Sequence, residues 1–143
     1  MRQFLQVLQH QIPGQVNNSH LIFKKEAEFI QNEYPGLMLD GDDMSIAPSI
    51  SGIIQLEDAK GFFIDSYTIK IVPPADYPNH FPYVFETGGR IPINVDWHVY
   101  PDGHCCISSI PEEMLICKNG INLRSFIENQ VKPYLYIRLF TSF

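Results

Sequence analysis

Phe62-Phe63-Ile64-Asp65-Ser66-Tyr67-Thr68-Ile69-Lys70-Ile71-Val72 is the stretch from which the fold is read. From Tyr67 to Ile71 apolar and polar residues alternate, the period of a strand, which puts Tyr67, Ile69 and Ile71 on one face and Thr68 and Lys70 on the other. A strand with one wet face belongs to an antiparallel sheet, because parallel strands are covered on both sides. Working back, Glu57-Asp58-Ala59-Lys60-Gly61 reads as a hairpin turn to an earlier strand-like segment over 45–56, and the period of two begins at about Leu37. Working forward, the prolines of the 73–82 connection cannot donate to a ladder and hold an extended path to a further strand, Tyr83 to Glu86.

Helical patterns flank this meander. Phe4, Leu5, Leu8 and Ile12 share a stripe over residues 3–12, which Pro13-Gly14 breaks. Asn18 or Ser19 is placed to cap a second helix over about 20–34. There Ile22, Phe23, Ala27, Ile30 and Tyr34 face a core, and Lys24, Lys25, Glu28 and Gln31 face water, the two lysines being also candidates for a docking face. After Asn119-Gly120 the helical period returns with Leu123, Phe126, Ile127 and Val131, and Pro133 kinks or restarts the helix. The apolar end of the chain, Tyr134 to Phe143, either completes the core or offers a docking surface. Between Gly88 and Ile116 neither period is sustained, which predicts loops. The pattern is that of a single α+β domain over 1–143.

Composition sets the limits. With 45% apolar residues, 13% aromatic and 18% charged, the chain can build one core without staples. A formal charge of -6 argues against nucleic acid as a partner, since phosphate neutralisation needs clustered cations and only Lys24-Lys25 stand together. No apolar run approaches the ~18 residues of a membrane span, and glutamines interrupt the apolar residues at the start, so no signal peptide is expected. Three cysteines, two of them adjacent, do not make a secreted disulfide framework. A soluble, cytoplasmic protein is the expectation.

Chemistry concentrates in Trp97-His98-Val99-Tyr100-Pro101-Asp102-Gly103-His104-Cys105-Cys106-Ile107-Ser108-Ser109-Ile110. Imidazoles and thiols are the side chains most easily tuned to react near neutral pH. Adjacent residues of an extended segment point to opposite sides, so Cys105 and Cys106 are expected in separate environments. Two readings follow for Cys105: a core residue beside a nucleophile, or a second thiol that passes an acyl group or closes a reversible vicinal disulfide. Glu112 and Glu113 are either solvated loop carboxylates or an acid–base pair near the thiol, and Ser108 and Ser109 either cap the following turn or touch substrate.

The order of short motifs resembles a known family. Asp76-Tyr77-Pro78, Pro82, Val84, then His98, Gly103 and Cys106 three residues after the glycine, resemble the catalytic core of the ubiquitin-conjugating enzymes over about residues 20–135. Gly89-Arg90-Ile91-Pro92 and Asp96-Trp97-His98 are similar, more narrowly, to the bacterial members encoded beside cGAS-like nucleotidyltransferases in anti-phage operons. The resemblance implies a Ubc-like α+β fold with N-terminal helices, a four-stranded antiparallel meander and C-terminal helices. It further implies that Cys106 accepts a protein C-terminus as a thioester and passes it to an amine, and that the carried protein is a cGAS-like nucleotidyltransferase or a small ubiquitin-like protein. No nucleotide-binding motif is present, so a separate adenylating, activating enzyme is implied and no cofactor is expected.

Cysteine suits that role because a thiolate attacks well and a thioester stays open to aminolysis. His98, His104 or amides near Gly103 would favour the thiolate. The chain departs from the family where its oxyanion-stabilising asparagine is expected: Tyr100 stands two places after His98, and Val99 takes the proline place. The segment from His98 to Gly103 is two residues shorter than usual. A phenol can donate to an oxyanion, so Tyr100 is either the substitute or a packing residue, while His98 is expected to order the loop by hydrogen bonding. Two rivals stand beside this reading. His98, His104, Cys105, Cys106 and Cys117 contain zinc-ligand types, though no Cys-x-x-Cys pair, so no metal is expected. A non-catalytic module of the same fold, which only presents a partner, is the second.

Overall fold

In a computed structural model, which describes residues 17–41 and 47–140, a meander of four antiparallel strands carries one described helix before it and several after it. The helix expected over 3–12 lies outside the described residues. Helix α1 (Asn18–Ile30) begins earlier than expected, because Asn17 and not Asn18 or Ser19 is its cap: the Asn17 side chain accepts from the amides of Ser19 and His20 at 2.8 and 3.3 Å. Phe23, Ala27 and Ile30 face inward with the i, i+4, i+7 spacing of a helix stripe, whereas Ile22, expected in the core, is exposed. The regular helix stops at Ile30, yet the Tyr34 amide still bonds the Ile30 carbonyl at 2.9 Å, so Tyr34 remains buried.

Strand β1 (Leu37–Asp40) follows Pro35-Gly36 and is too short to have been delimited by its pattern. It pairs with β2 (Ser49–Glu57), β2 with β3 (Phe63–Val72), and β3 with β4 (Tyr83–Glu86), in the order β1-β2-β3-β4. The inward face carries Ile50, Ile54 and Leu56 of β2, Tyr67, Ile69 and Ile71 of β3 and Val84 of β4. The alternation read in Tyr67 to Ile71 is therefore the one that faces the core. Two glycines let β1 enter the sheet: a Cβ on Gly36 would lie 2.4 Å from the Ile53 carbonyl oxygen, and one on Gly52, at φ 137°, 2.1 Å from that of Gly36.

The proline-rich connection carries Tyr77 into the core, edge-on to Phe23 at 5.6 Å between ring centres. Its hydroxyl donates to Glu26, whose carboxylate also accepts the Leu123 amide at 2.9 Å. One side chain of α1 thus holds both the connection and the start of the C-terminal helices. The segment expected to be loop up to Ile116 instead contains α2 (Ile110–Asn119), none of whose residues is buried. Only Ile116 and Cys117 of α2 pack against the core, and only in part, while Ile110, Met114 and Leu115 are exposed, so no clear amphipathic period could be read. Then come α3 (Leu123–Phe126), capped reciprocally by Asn122 and Ser125, one π turn (Ile127–Val131), and α4 (Lys132–Phe140). The widened turn, in which the Lys132 amide reaches back to the Ile127 carbonyl, gives room to Pro133, which has no amide to donate. Leu123, Phe126, Ile127, Val131 and Leu135 complete the core, while Ile137 and Phe140 of the apolar end stay exposed. No described helix is long and apolar enough to cross a membrane.

Candidate functional site

The segment 94–106 is a short hairpin laid on the free edge of β4. Asn94 starts it, its side chain accepting the Asp96 amide at 2.8 Å and capping a single 3-10 turn, Val95–Trp97. His98 closes that turn in the left-handed region, at φ 56° and ψ 48°, which is uncommon for a residue with a Cβ and must be held from outside. Two side chains of α4 hold it: the Tyr134 hydroxyl lies 3.2 Å from the carbonyl oxygens of both Trp97 and His98, and Arg138 Nη1 donates to Trp97 at 2.8 Å.

The chain then turns at Tyr100-Pro101-Asp102-Gly103, with the Gly103 amide bonded to the Tyr100 carbonyl at 2.8 Å and Gly103 at φ 97°. Proline at the second position and glycine at the fourth are the residues such a turn prefers. Val99 pairs with Cys105, and His104 pairs with Phe85 of β4. The Cys105 amide donates to Val84 at 2.7 Å and the Cys106 amide to His98 at 2.8 Å. The nucleophile candidate is thereby fixed between the sheet edge and the strained residue, and His98 orders the loop through its main chain.

The alternation along this arm separates the two thiols. Cys105 points inward, 4% exposed, beside Tyr134, and burial pushes its thiol pKa up. Cys106 points outward and is only partly buried. The Tyr100 hydroxyl donates to its sulfur at 3.4 Å, and the thiol in turn faces the Ser108 carbonyl at 3.9 Å. That hydrogen bond with Cys106 raises the Tyr100 pKa above the usual tyrosine value, so the phenol keeps its proton and remains a donor. Cys117, in α2, has its thiol pKa pushed up to about 11 by burial and by the Glu113 and Asp76 carboxylates. Burial thus disfavours the thiolate at both Cys105 and Cys117.

Ser108 and Ser109 take capping roles: Ser109 is the cap of α2, and the Ser108 hydroxyl donates to Glu112 at 2.7 Å. Glu112 and Glu113 sit in the first turn of α2, not in a loop, where carboxylates suit the helix dipole. The zinc-ligand types found in the sequence do not converge, and among the described residues no group of three or more His, Cys, Asp and Glu side chains is placed to hold a metal ion.

Three contributions escaped the sequence reading. Asp102 accepts both the His104 amide at 3.0 Å and its ring Nδ1 at 2.6 Å, a spacing that reads in sequence as an ordinary turn. The His104 ring then stacks on Tyr100. Tyr134 and Arg138 act on the loop from far along the chain, and only their four-residue spacing on one helix face hints that they work together. No family model matches the chain, and no solved structure matches it.

Proposed function

We propose that this chain is a Ubc-like acyl carrier of the bacterial ubiquitin-conjugating type, which holds a protein C-terminus as a thioester on Cys106. The observation that carries the reading is the contrast among the three thiols. Burial raises the thiol pKa of Cys105 and Cys117, whereas Cys106 is partly buried on a hydrogen-bonded hairpin with a phenol hydroxyl 3.4 Å from its sulfur. In the loading step the Cys106 sulfur attacks the activated carboxyl carbon presented by a separate adenylating enzyme. The thiol proton and the enzyme's leaving group depart, and a C–S bond forms. In the discharge step an amine attacks the same carbon, a C–N bond replaces the C–S bond, and the thiol is restored. Tyr100 is the donor to the tetrahedral oxyanion of that step, in the place of the family's asparagine. The carried protein is a cGAS-like nucleotidyltransferase or a small ubiquitin-like protein, the setting is anti-phage defence, and the compartment is the reducing cytoplasm, where a free thiol survives.

The test is co-expression of the chain with its operon neighbours and ATP, compared on reducing and non-reducing gels. Wild type is expected to carry a thiol-labile adduct that Cys106→Ala lacks. Absence of an adduct with every neighbour sinks the carrier reading in favour of a non-catalytic module that presents a partner.

A further inference from the structure

The His104 side chain joins the sheet to the Tyr100 phenol. Its ring meets Tyr83 and Phe85 of β4 edge-on, at 5.4 and 6.5 Å between centres. It stacks on Tyr100 at 4.3 Å with 29° between planes, and its Nδ1 lies 2.6 Å from Asp102. Tyr100 itself is 42% exposed and stands on a turn, so the stack is what limits its swing. A phenol free to rotate toward water would lose its donation to sulfur, since a side-chain hydrogen bond must offset the entropy of ordering its partner.

We propose that His104, seated on β4 and pinned by Asp102, is the positioning residue that holds the Tyr100 hydroxyl against Cys106. It acts through Tyr100 and does not touch the reacting atoms. The consequence for acyl transfer rests on the carrier reading above, but the coupling among His104, Tyr100 and Cys106 does not.

The test uses iodoacetamide on the intact chain, with tandem mass spectrometry to assign the label to Cys106. The Tyr100 hydroxyl donates to the Cys106 sulfur at 3.4 Å, so Tyr100→Phe, which removes that donor, is expected to slow labelling roughly threefold. His104→Ala should slow it equally, and the double variant no further, because the second change removes a contact that has already lost its purpose. His104→Phe, which restores a stackable ring, should recover most of the rate. If His104→Ala does not fold, His104→Leu fills the slot without a stacking ring and carries the same expectation. Additive effects in the double variant, no rescue by phenylalanine, or an unchanged rate for Tyr100→Phe each overturn the proposal. A wild type that forms no thioester with any operon neighbour defeats the carrier reading alone, and the labelling cycle still decides the role of His104.

Discussion

Cys105 and Cys106 differ by one step along an extended arm, and that step decides their chemistry. The amides of both are engaged, Cys105 with Val84 and Cys106 with His98, so bringing the sulfurs together requires breaking the hairpin's attachment to β4. At 4% exposure Cys105 is closed to an incoming protein and has the place of a core residue. Cys105→Ala is therefore expected to lower stability by about 1 kcal/mol, through the small void left by the sulfur, while the thioester proposed for Cys106 should form at the wild-type rate with and without reductant. A urea midpoint and a conjugation time course check the two halves. Slowing confined to oxidising buffer would restore the idea of a thiol pair. The candidate thiol could be singled out from the sequence, because its distance from Gly103 is local. Its partners could not be, since Asp102 and His104 have the spacing of any turn and the Tyr134 and Arg138 contacts join residues far apart in sequence.

At the scale of elements, β3 was legible because one of its faces is wet, and α2 was not because none of its residues is buried. The same physics explains β1, which is four residues long and whose entry depends on bare backbone, not on a hydrophobic pattern. Gly36 and Gly52 let the two strands approach until Ile53 donates to Gly36 at 2.9 Å. Gly52→Ala meets both a carbonyl at 2.1 Å and a φ of 137°, and is expected to cost about 3 kcal/mol or more. Gly61→Ala, at φ 84° in the exposed hairpin turn with open space around it, isolates the backbone strain and is expected to cost about 1 kcal/mol. Urea midpoints of the two variants separate close approach from conformation. Equal losses would mean that the strand approach itself is not tight.

Across the whole molecule, carboxylates of the helices join parts that no sheet hydrogen bond reaches. Glu26 holds Tyr77 and the start of α3, and Glu128 of the π turn holds Tyr34, at the exit of α1, together with Lys132 at 3.0 Å. Burial alone would raise the Glu128 carboxyl pKa, but the Tyr34 hydroxyl and the Lys132 ammonium outweigh it and hold the value below the ordinary 4.5. The folded state then binds this proton less readily than the unfolded chain does. The stabilisation is fully present above the unfolded value near 4.5 and is lost as pH falls through the lower folded value. Glu128→Gln keeps an acceptor for Tyr34 but removes the charge, so at pH 7 it should cost about 1–2 kcal/mol. As the pH falls below 4 the two proteins should converge, because protonation makes the wild type resemble the variant. Denaturant unfolding of both between pH 7 and pH 3 reads this directly, with Asp65 and Asp102, whose values are also lowered, supplying the acid sensitivity that remains in the variant. A difference that stays constant across that range would show that Glu128 acts by shape and not by charge.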